Sequence, residues 1–159
     1  KLIQAQKRHM HIGVPGHGIV IAVPIKSVGG GKTVAFLNGE TDNAAYTPSL
    51  NYAHELIVAV CSQGCTDMVM NAARAAGARG GTVLHGKGTG ANGAPKFYNI
   101  TIAQEKEMIL IVAAASQKTA IMQSILKKAG PDSKAGTIVF SLPTTQVAGF
   151  ALLDNQDET

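Results

Sequence analysis

Tryptophan is absent from this chain and aromatic residues make up only 4% of it. No lysine or arginine run is longer than the pairs Lys7-Arg8 and Lys127-Lys128. Without stacking side chains or a basic stripe, a nucleic-acid partner is not expected. Charged residues are scarce as well, at 15%, which is low for a monomer surface and points to apolar area covered by other subunits. No apolar run approaches the ~20 residues that a membrane-spanning helix needs, and no signal-peptide pattern is visible. Cysteine is limited to Cys61 and Cys65. That pair excludes a disulfide-built scaffold and supplies too few ligands for structural zinc. A disulfide between them would be expected only in an oxidising compartment, and buried or half-buried free thiols are the plain reading of the pair. Acidic residues are few, and the densest group, Asp154–Glu158, lies in a terminal tail. No paired-carboxylate or Ser/His/Asp arrangement is expected.

Against these absences stand a 45% hydrophobic content, enough for a real core, and 18 glycines. The formal charge of +4 fits a small anionic ligand. The glycines concentrate in Gly80–Gly90, where a β-prone run, Thr82-Val83-Leu84, leads into His85-Gly86-Lys87-Gly88-Thr89-Gly90. Backbone N–H groups in a glycine loop can form an anion-binding concavity, and glycine lets backbone approach a ligand closely. The bland reading is a hairpin tip.

Lys1–His9 reads as the last turns of a helix, so residues upstream of Lys1 are expected to be missing here. His11–Gly18 reads as a loop and Ile19–Val23 as a buried strand stopped by Pro24. Thr33–Leu37 reads as a short strand. Residues 38–54 read as a linker, with Gly39, Asn43, Pro48 and Asn51 and little periodicity. Glu55–Cys61 is predicted as a strand and Asp67–Ala76 as a helix, with Thr66 as N-cap and Met68, Val69, Ala72, Ala73 and Ala76 inward. Gly77 is the expected helix stop. Strands follow at Thr82–Lys87, Tyr98–Ala103 and Glu107–Ala114. Ser116 is placed as the cap of a helix over Gln117–Lys128, with Ile121, Met122, Ile125 and Leu126 inward. The loop Gly130–Gly136 and a strand over Thr137–Leu142, closed by Pro143, complete the order. Val147–Phe150 is expected to pack back, and residues 151–159 form an acidic tail.

From Glu55 the order is β-α-β-β-α-β, the ferredoxin-like split βαβ pattern of an α+β fold with both helices on one face of an antiparallel sheet. The other face is then expected to lie between subunits. An internal repeat precedes this module. At one constant offset, Leu2 falls on Ile121, Ile19 on Ile138, Val20 on Val139, Val23 on Leu142, Pro24 on Pro143 and Gly30 on Gly149. Residues 1–37 therefore read as the C-terminal part of a first copy, and residues 55–150 as a complete second copy. The partial copy cannot bury itself alone.

Thr82–Gly90 resembles the segment of nitrogen-regulatory PII proteins that ends in Lys-Gly-Phe-Gly, and Ser133–Pro143 resembles their loop and last strand. The likeness is to a tandem PII-like branch. It implies a trimeric, cytoplasmic, non-enzymatic sensor that binds adenine nucleotides between subunits and reports to a transporter or a nitrogen-metabolism enzyme. The ligand-binding set carried over is His85, Gly86, Lys87, Gly88, Thr89 and Gly90 with Lys134, Gly136 and Thr137. ATP, ADP or AMP is implied as effector, with no obligatory cofactor. Three basic positions of the family are Thr137, Ala148 and Phe150 here, which removes charge that offsets a triphosphate. A family glutamine is matched at best by Asn92, and the partner loop is cut to about Ala91–Phe97 without a tip tyrosine.

Two other motifs compete. Gly29-Gly30-Gly31-Lys32-Thr33 mimics the end of a P-loop, but Lys26 stands where its first glycine belongs and no helix start follows. His9, His11 and His17 lie close in sequence and His-x-His can chelate, which makes a metal-binding reading the alternative. They also match the position of the loop Gly130–Gly136 in the repeat, so contact with a phosphate is a further option. A small enzyme on this versatile fold is a third reading.

Overall fold

The computed structural model of the chain describes residues 2–12, 14, 17–25, 51–89, 96–97, 100–101 and 103–149. The strand expected at Thr33–Leu37, most of the 38–54 linker, Gly90–Pro95 and the 151–159 tail lie outside these. The chain divides into two units. One comprises residues 52–142 and the other residues 1–51 with 143–159.

The larger unit is a four-stranded sheet with two helices. Its elements are β2 (Asn51–Ser62), α2 (Thr66–Ala75), β3 (Thr82–Gly88), a two-residue pair β4 (Lys96–Phe97) and β5 (Ile100–Thr101), β6 (Gln104–Ala114), α3 (Ala115–Ala129) and β7 (Ile138–Thr144). The sheet order is β3-β6-β2-β7. β6 runs antiparallel to both β2 and β3, with Cys61, Glu107 and His85 in one cross-strand row and Val60, Met108 and Leu84 in the next. This is the ferredoxin-like arrangement expected from the element order.

Alternation decides which side is covered. Ile57, Ala59 and Cys61 of β2 and Ile109, Ile111 and Ala113 of β6 are buried against Val69, Met70, Ala72 and Ala73 of α2 and Ile121, Ile125 and Ala129 of α3. Burying each isoleucine contributes about 1.5–3 kcal/mol. The small Ala72 and Ala73 let α3 approach α2, and Ser124 Oγ donates to the Ala72 carbonyl at 2.7 Å. Leu126, expected inward, lies on the exposed side of α3, and Ala129 takes the inner position. α2 ends at Gly77 (φ 102). The Gly77 N–H reaches the Arg74 carbonyl and the Ala78 N–H that of Ala73, a Schellman closure that needs the left-handed backbone.

Several boundaries differ from the sequence reading. β2 starts at Asn51 and β6 at Gln104, because paired backbone extends each strand beyond its apolar run. Of the strand expected over Tyr98–Ala103, β5 is described, paired with β4, while Tyr98, Asn99 and Ile102 lie outside the described residues. Pro143 does not end β7, which continues to Thr144. An edge strand tolerates a residue without N–H. Ser116 is inside α3 rather than its cap, and Ala114 occupies that position without a side-chain hydrogen bond.

The smaller unit holds α1 (Leu2–Met10), β1 (Val20–Ala22) and β8 (Gln146–Ala148). β1 pairs antiparallel with β8, Ile21 opposite Val147. The Thr145 N–H donates to the Ala22 carbonyl at 2.9 Å. Among the described residues no helix is long and apolar enough to cross a membrane.

Candidate functional site

β2 and β3 both run against β6, so the ends of β2 and β3 and the start of β6 meet at one end of the sheet. The loop before β7 joins them there: the Ser62 N–H donates to the Ala135 carbonyl at 2.9 Å, and the Gln63 N–H to that of Glu105 at 3.4 Å. This rim gathers most of the residues singled out in the sequence. His85, Gly86, Lys87 and Gly88 lie at the β3 edge, Lys106 and Ser62 in the middle, and Lys134 and Gly136 at the β7 edge. Three strand spacings, roughly 14 Å, separate the two edges.

The glycines act differently from the sequence expectation. Gly86, Lys87 and Gly88 belong to β3 and pair with Lys106, Glu105 and Gln104. They are extended backbone, and neither glycine has positive φ. Gly88 instead makes room for a neighbour, since a Cβ there would meet Lys106 Cγ at 2.9 Å. The Lys106 alkyl chain fills that space, and its Nζ donates to Ser62 Oγ at 3.2 Å. Lys87 is 69% exposed and pairs with Glu105 at 3.5 Å. Thr89 and Lys134 are exposed. Gly136 adopts φ 53 with open space where a side chain would stand, and Ser133 ties its turn by donating to the Gly130 carbonyl at 2.8 Å. Thr137, carried over as a ligand residue, is fully buried, and its hydroxyl has no hydrogen-bond partner. Its side chain cannot meet a ligand from solvent in this structure. Gly90 lies outside the described residues.

Sequence reasoning missed the residue that organises the rim. Glu107 is buried in the inward row, and its carboxylate accepts the Gly64 N–H at 3.0 Å, the Thr66 N–H at 3.1 Å and the Thr66 hydroxyl at 2.6 Å. Thr66 is therefore the first residue of α2 rather than its cap. Cys65 stands at the cap position without a side-chain bond. A carboxylate from the neighbouring strand supplies the acceptors that the helix N-terminus needs. The bond from Thr66, then that from Gly64, hold the Glu107 carboxyl below the usual range against the opposing effect of burial, and His85 adds a smaller contribution in the same direction. The available signal was parity: Glu107 shares the inward register of Ile109, Ile111 and Ala113.

Cys61 and Cys65 are free and buried, and burial pushes the Cys61 thiol up to about 11. Neither is poised as a nucleophile. At the other end of the sheet, Glu55 pairs with Lys118 at 2.9 Å. In the smaller unit the rings of His11 and His17 meet edge to face, with centroids 6.4 Å apart. Among the described residues no group of three His, Cys, Asp or Glu side chains is placed to hold a metal ion, so His9, His11 and His17 are not gathered into a chelate.

The family comparisons agree with this architecture. The model of the family described as nitrogen regulatory protein P-II matches residues 54–150, more than half of the chain. No curated protein matches the sequence. Among similar solved structures is the crystal structure of Arabidopsis thaliana PII bound to citrate. It is 19% identical over 58% of this chain and 76% of that one, with a TM-score of 0.46. With the matched segment spanning the sheet from His54 onward and both of its helices, the chain belongs to the nitrogen regulatory protein P-II family, a family of regulators that bind small effectors.

Proposed function

We propose that the chain is a cytoplasmic, trimeric sensor that binds an adenine nucleotide at the rim, between subunits, and regulates a transporter or an enzyme of nitrogen metabolism. The observation that carries this is the division of the rim between two sheet edges. Lys87 stands at the β3 edge and Lys134 at the β7 edge. Among the described residues each of these edge strands has a strand neighbour on one side only, and a neighbouring copy set against either would turn the rim into a cleft. The sheet face away from the helices supports such an assembly, since Leu84, Met108, Ile138 and Phe140 are exposed on it although Leu56, Val58 and Val112 of its central strands are buried. On this reading the chemistry is binding rather than turnover, carried by the exposed cations of the rim.

The test is isothermal titration with ATP, ADP, AMP and 2-oxoglutarate, alongside light scattering for mass. The reading expects a trimer and at least one nucleotide ligand, with affinity lowered about tenfold by Lys134→Ala, the loss of one charge-assisted phosphate contact. A monomer, or silence from every nucleotide, would overturn it.

A further inference from the structure

The rim is built around one turn. β2 ends at Ser62 and α2 begins at Thr66, and Ser62-Gln63-Gly64-Cys65 joins them. The Cys65 N–H closes the turn by donating to the Ser62 carbonyl at 3.2 Å. Gly64 stands in it at φ 77, a left-handed backbone that glycine adopts without strain. Every N–H from Ser62 to Thr66 then has a defined acceptor. The Ser62 N–H goes to the Ala135 carbonyl at 2.9 Å and the Gln63 N–H to that of Glu105 at 3.4 Å. The Gly64 and Thr66 N–H groups go to the two oxygens of the Glu107 carboxylate, at 3.0 Å and 3.1 Å.

Two of these bonds reach the segments that carry the cations of the rim. Ala135 stands between Lys134 and Gly136 and is fully buried. Its own N–H donates to Ser133 Oγ at 3.1 Å, and the Gly136 N–H donates to the Ser133 carbonyl at 3.0 Å. The exposed Lys134 is thus placed by a short loop that the bond from Ser62 fixes to the sheet. On the other side, Glu105 takes the Gln63 N–H on its carbonyl and holds the Lys87 ammonium at 3.5 Å with its carboxylate. Two more of the bonds converge on Glu107, which also accepts the Thr66 hydroxyl at 2.6 Å. A shift of the Glu107 carboxylate moves the turn, and the turn moves both Ala135 and Glu105.

On the reading of the rim as a nucleotide site, on which this rests, we infer that the Ser62–Cys65 turn is the bracket on which the Lys87 and Lys134 edges are both mounted, with Glu107 as the positioning residue that sets their affinity for an anionic nucleotide. Glu107 is buried and acts through the turn rather than on the ligand. A bond from an ammonium to a phosphate oxygen is short and directional. Misplacing either lysine therefore weakens the contact while leaving its charge in place. A carboxylate suits this role because both of its oxygens accept. An amide has one acceptor oxygen and turns an NH2 group toward a donor.

Two measurements on the full chain test the bracket and the positioning role separately. NMR follows exchange of the Ser62 amide. It should quicken at least about tenfold in Glu107→Gln and stay near wild type in Glu55→Gln, which removes the ion pair to Lys118 at the other end of the sheet. Calorimetric titration with ATP and ADP then reads affinity. Binding should weaken at least about fivefold in Glu107→Gln, weaken less in Thr66→Val, and return to the wild-type value in Thr66→Ser, which keeps the hydroxyl. The loss caused by Glu107→Gln should shrink in a Lys134→Ala background and vanish when Lys87→Ala is added, because the edges it positions have lost their cations. A Ser62 amide that exchanges alike in wild type and Glu107→Gln overturns the bracket, whatever the nucleotides do. Faster exchange with unchanged affinity, an equal loss of affinity in Glu55→Gln, or losses that simply add in the combined variants overturns the positioning role. Wild type binding neither nucleotide overturns the reading of the rim and the positioning role with it, and the Ser62 amide still decides the bracket.

Discussion

Replacing Glu107 tests the organisation of the rim most directly. The side chain accepts three hydrogen bonds, two from backbone N–H groups at the start of α2 and one from the Thr66 hydroxyl. Glu107→Ala leaves all three donors without their partner. The donors are part-buried, so a cost near the low end for an unsatisfied group, about 1 kcal/mol each, is appropriate. Loss of a negative charge at a helix N-terminus adds roughly 0.5 kcal/mol. Together these give a destabilisation of about 3 kcal/mol, a large share of the 5–15 kcal/mol typical of a domain. Glu107→Gln preserves volume and one acceptor oxygen but turns an NH2 group toward a donor, so about 1–2 kcal/mol is expected.

Urea unfolding checks the order, alanine worse than glutamine worse than wild type. At a slope of about 1.5 kcal/mol per molar, the alanine midpoint should fall by roughly 2 M. The pH dependence adds a second check. The folded Glu107 pKa lies below its unfolded value, so its contribution is complete above the ordinary carboxylate range and is lost as pH falls through the folded pKa. Wild type should lose stability from about pH 5 downward, and Glu107→Gln should show less of that loss. An alanine variant within 0.5 kcal/mol of wild type would refute the assignment of these bonds. Equal acid limbs in wild type and Glu107→Gln would refute the charge argument.

Two further outcomes follow from backbone and burial. Gly149→Ala places a Cβ against the Gly18 carbonyl at a position with φ 88, and should cost 2 kcal/mol or more by strain alone, read as loss of amide-exchange protection at the β1–β8 pairing. The Cys61 thiol is raised from 9.0 to about 11. The folded state therefore favours the protonated thiol, and stability should decline as pH rises from 9 toward 11. A Cys61→Ser variant, or rapid thiol labelling of the folded chain at neutral pH, checks the burial behind it.

What was legible in the sequence was periodic. Leu56–Val60 and Ile109–Val112 are long apolar runs between turn residues, and the α2 face repeats at helical spacing, so the order of elements and most of the core could be read. Gly77 was legible because its role is local. Glu107 was hidden because its partner Thr66 is 41 residues away and meets it only when β6 takes its register beside β2. The same holds for Gly88, whose missing side chain matters only because Lys106 of β6 lies over it. Thr137 shows the converse: its place in a motif says nothing of which way its side chain points, and packing buries it.

The strand character of Gly86–Gly88 changes how the rim can hold an anion. With that backbone paired to β6, the site proposed above would attract an anion at the β3 edge through Lys87 rather than through a nest of amides. Lys87 already has a partner in Glu105, which raises the question of whether the pair blocks the site. Both side chains are substantially exposed, 69% and 47%, and such pairs contribute only about 0.2–1 kcal/mol. A charge-assisted bond to a phosphate oxygen contributes roughly 1.5–3 kcal/mol. In the proposed site a phosphate would win this competition, with Glu105 holding Lys87 along the rim until then. A site built this way is ready without being strained. The expected signature is Glu105→Gln leaving stability unchanged while strengthening anion binding, since the carboxylate that competes for Lys87 is gone.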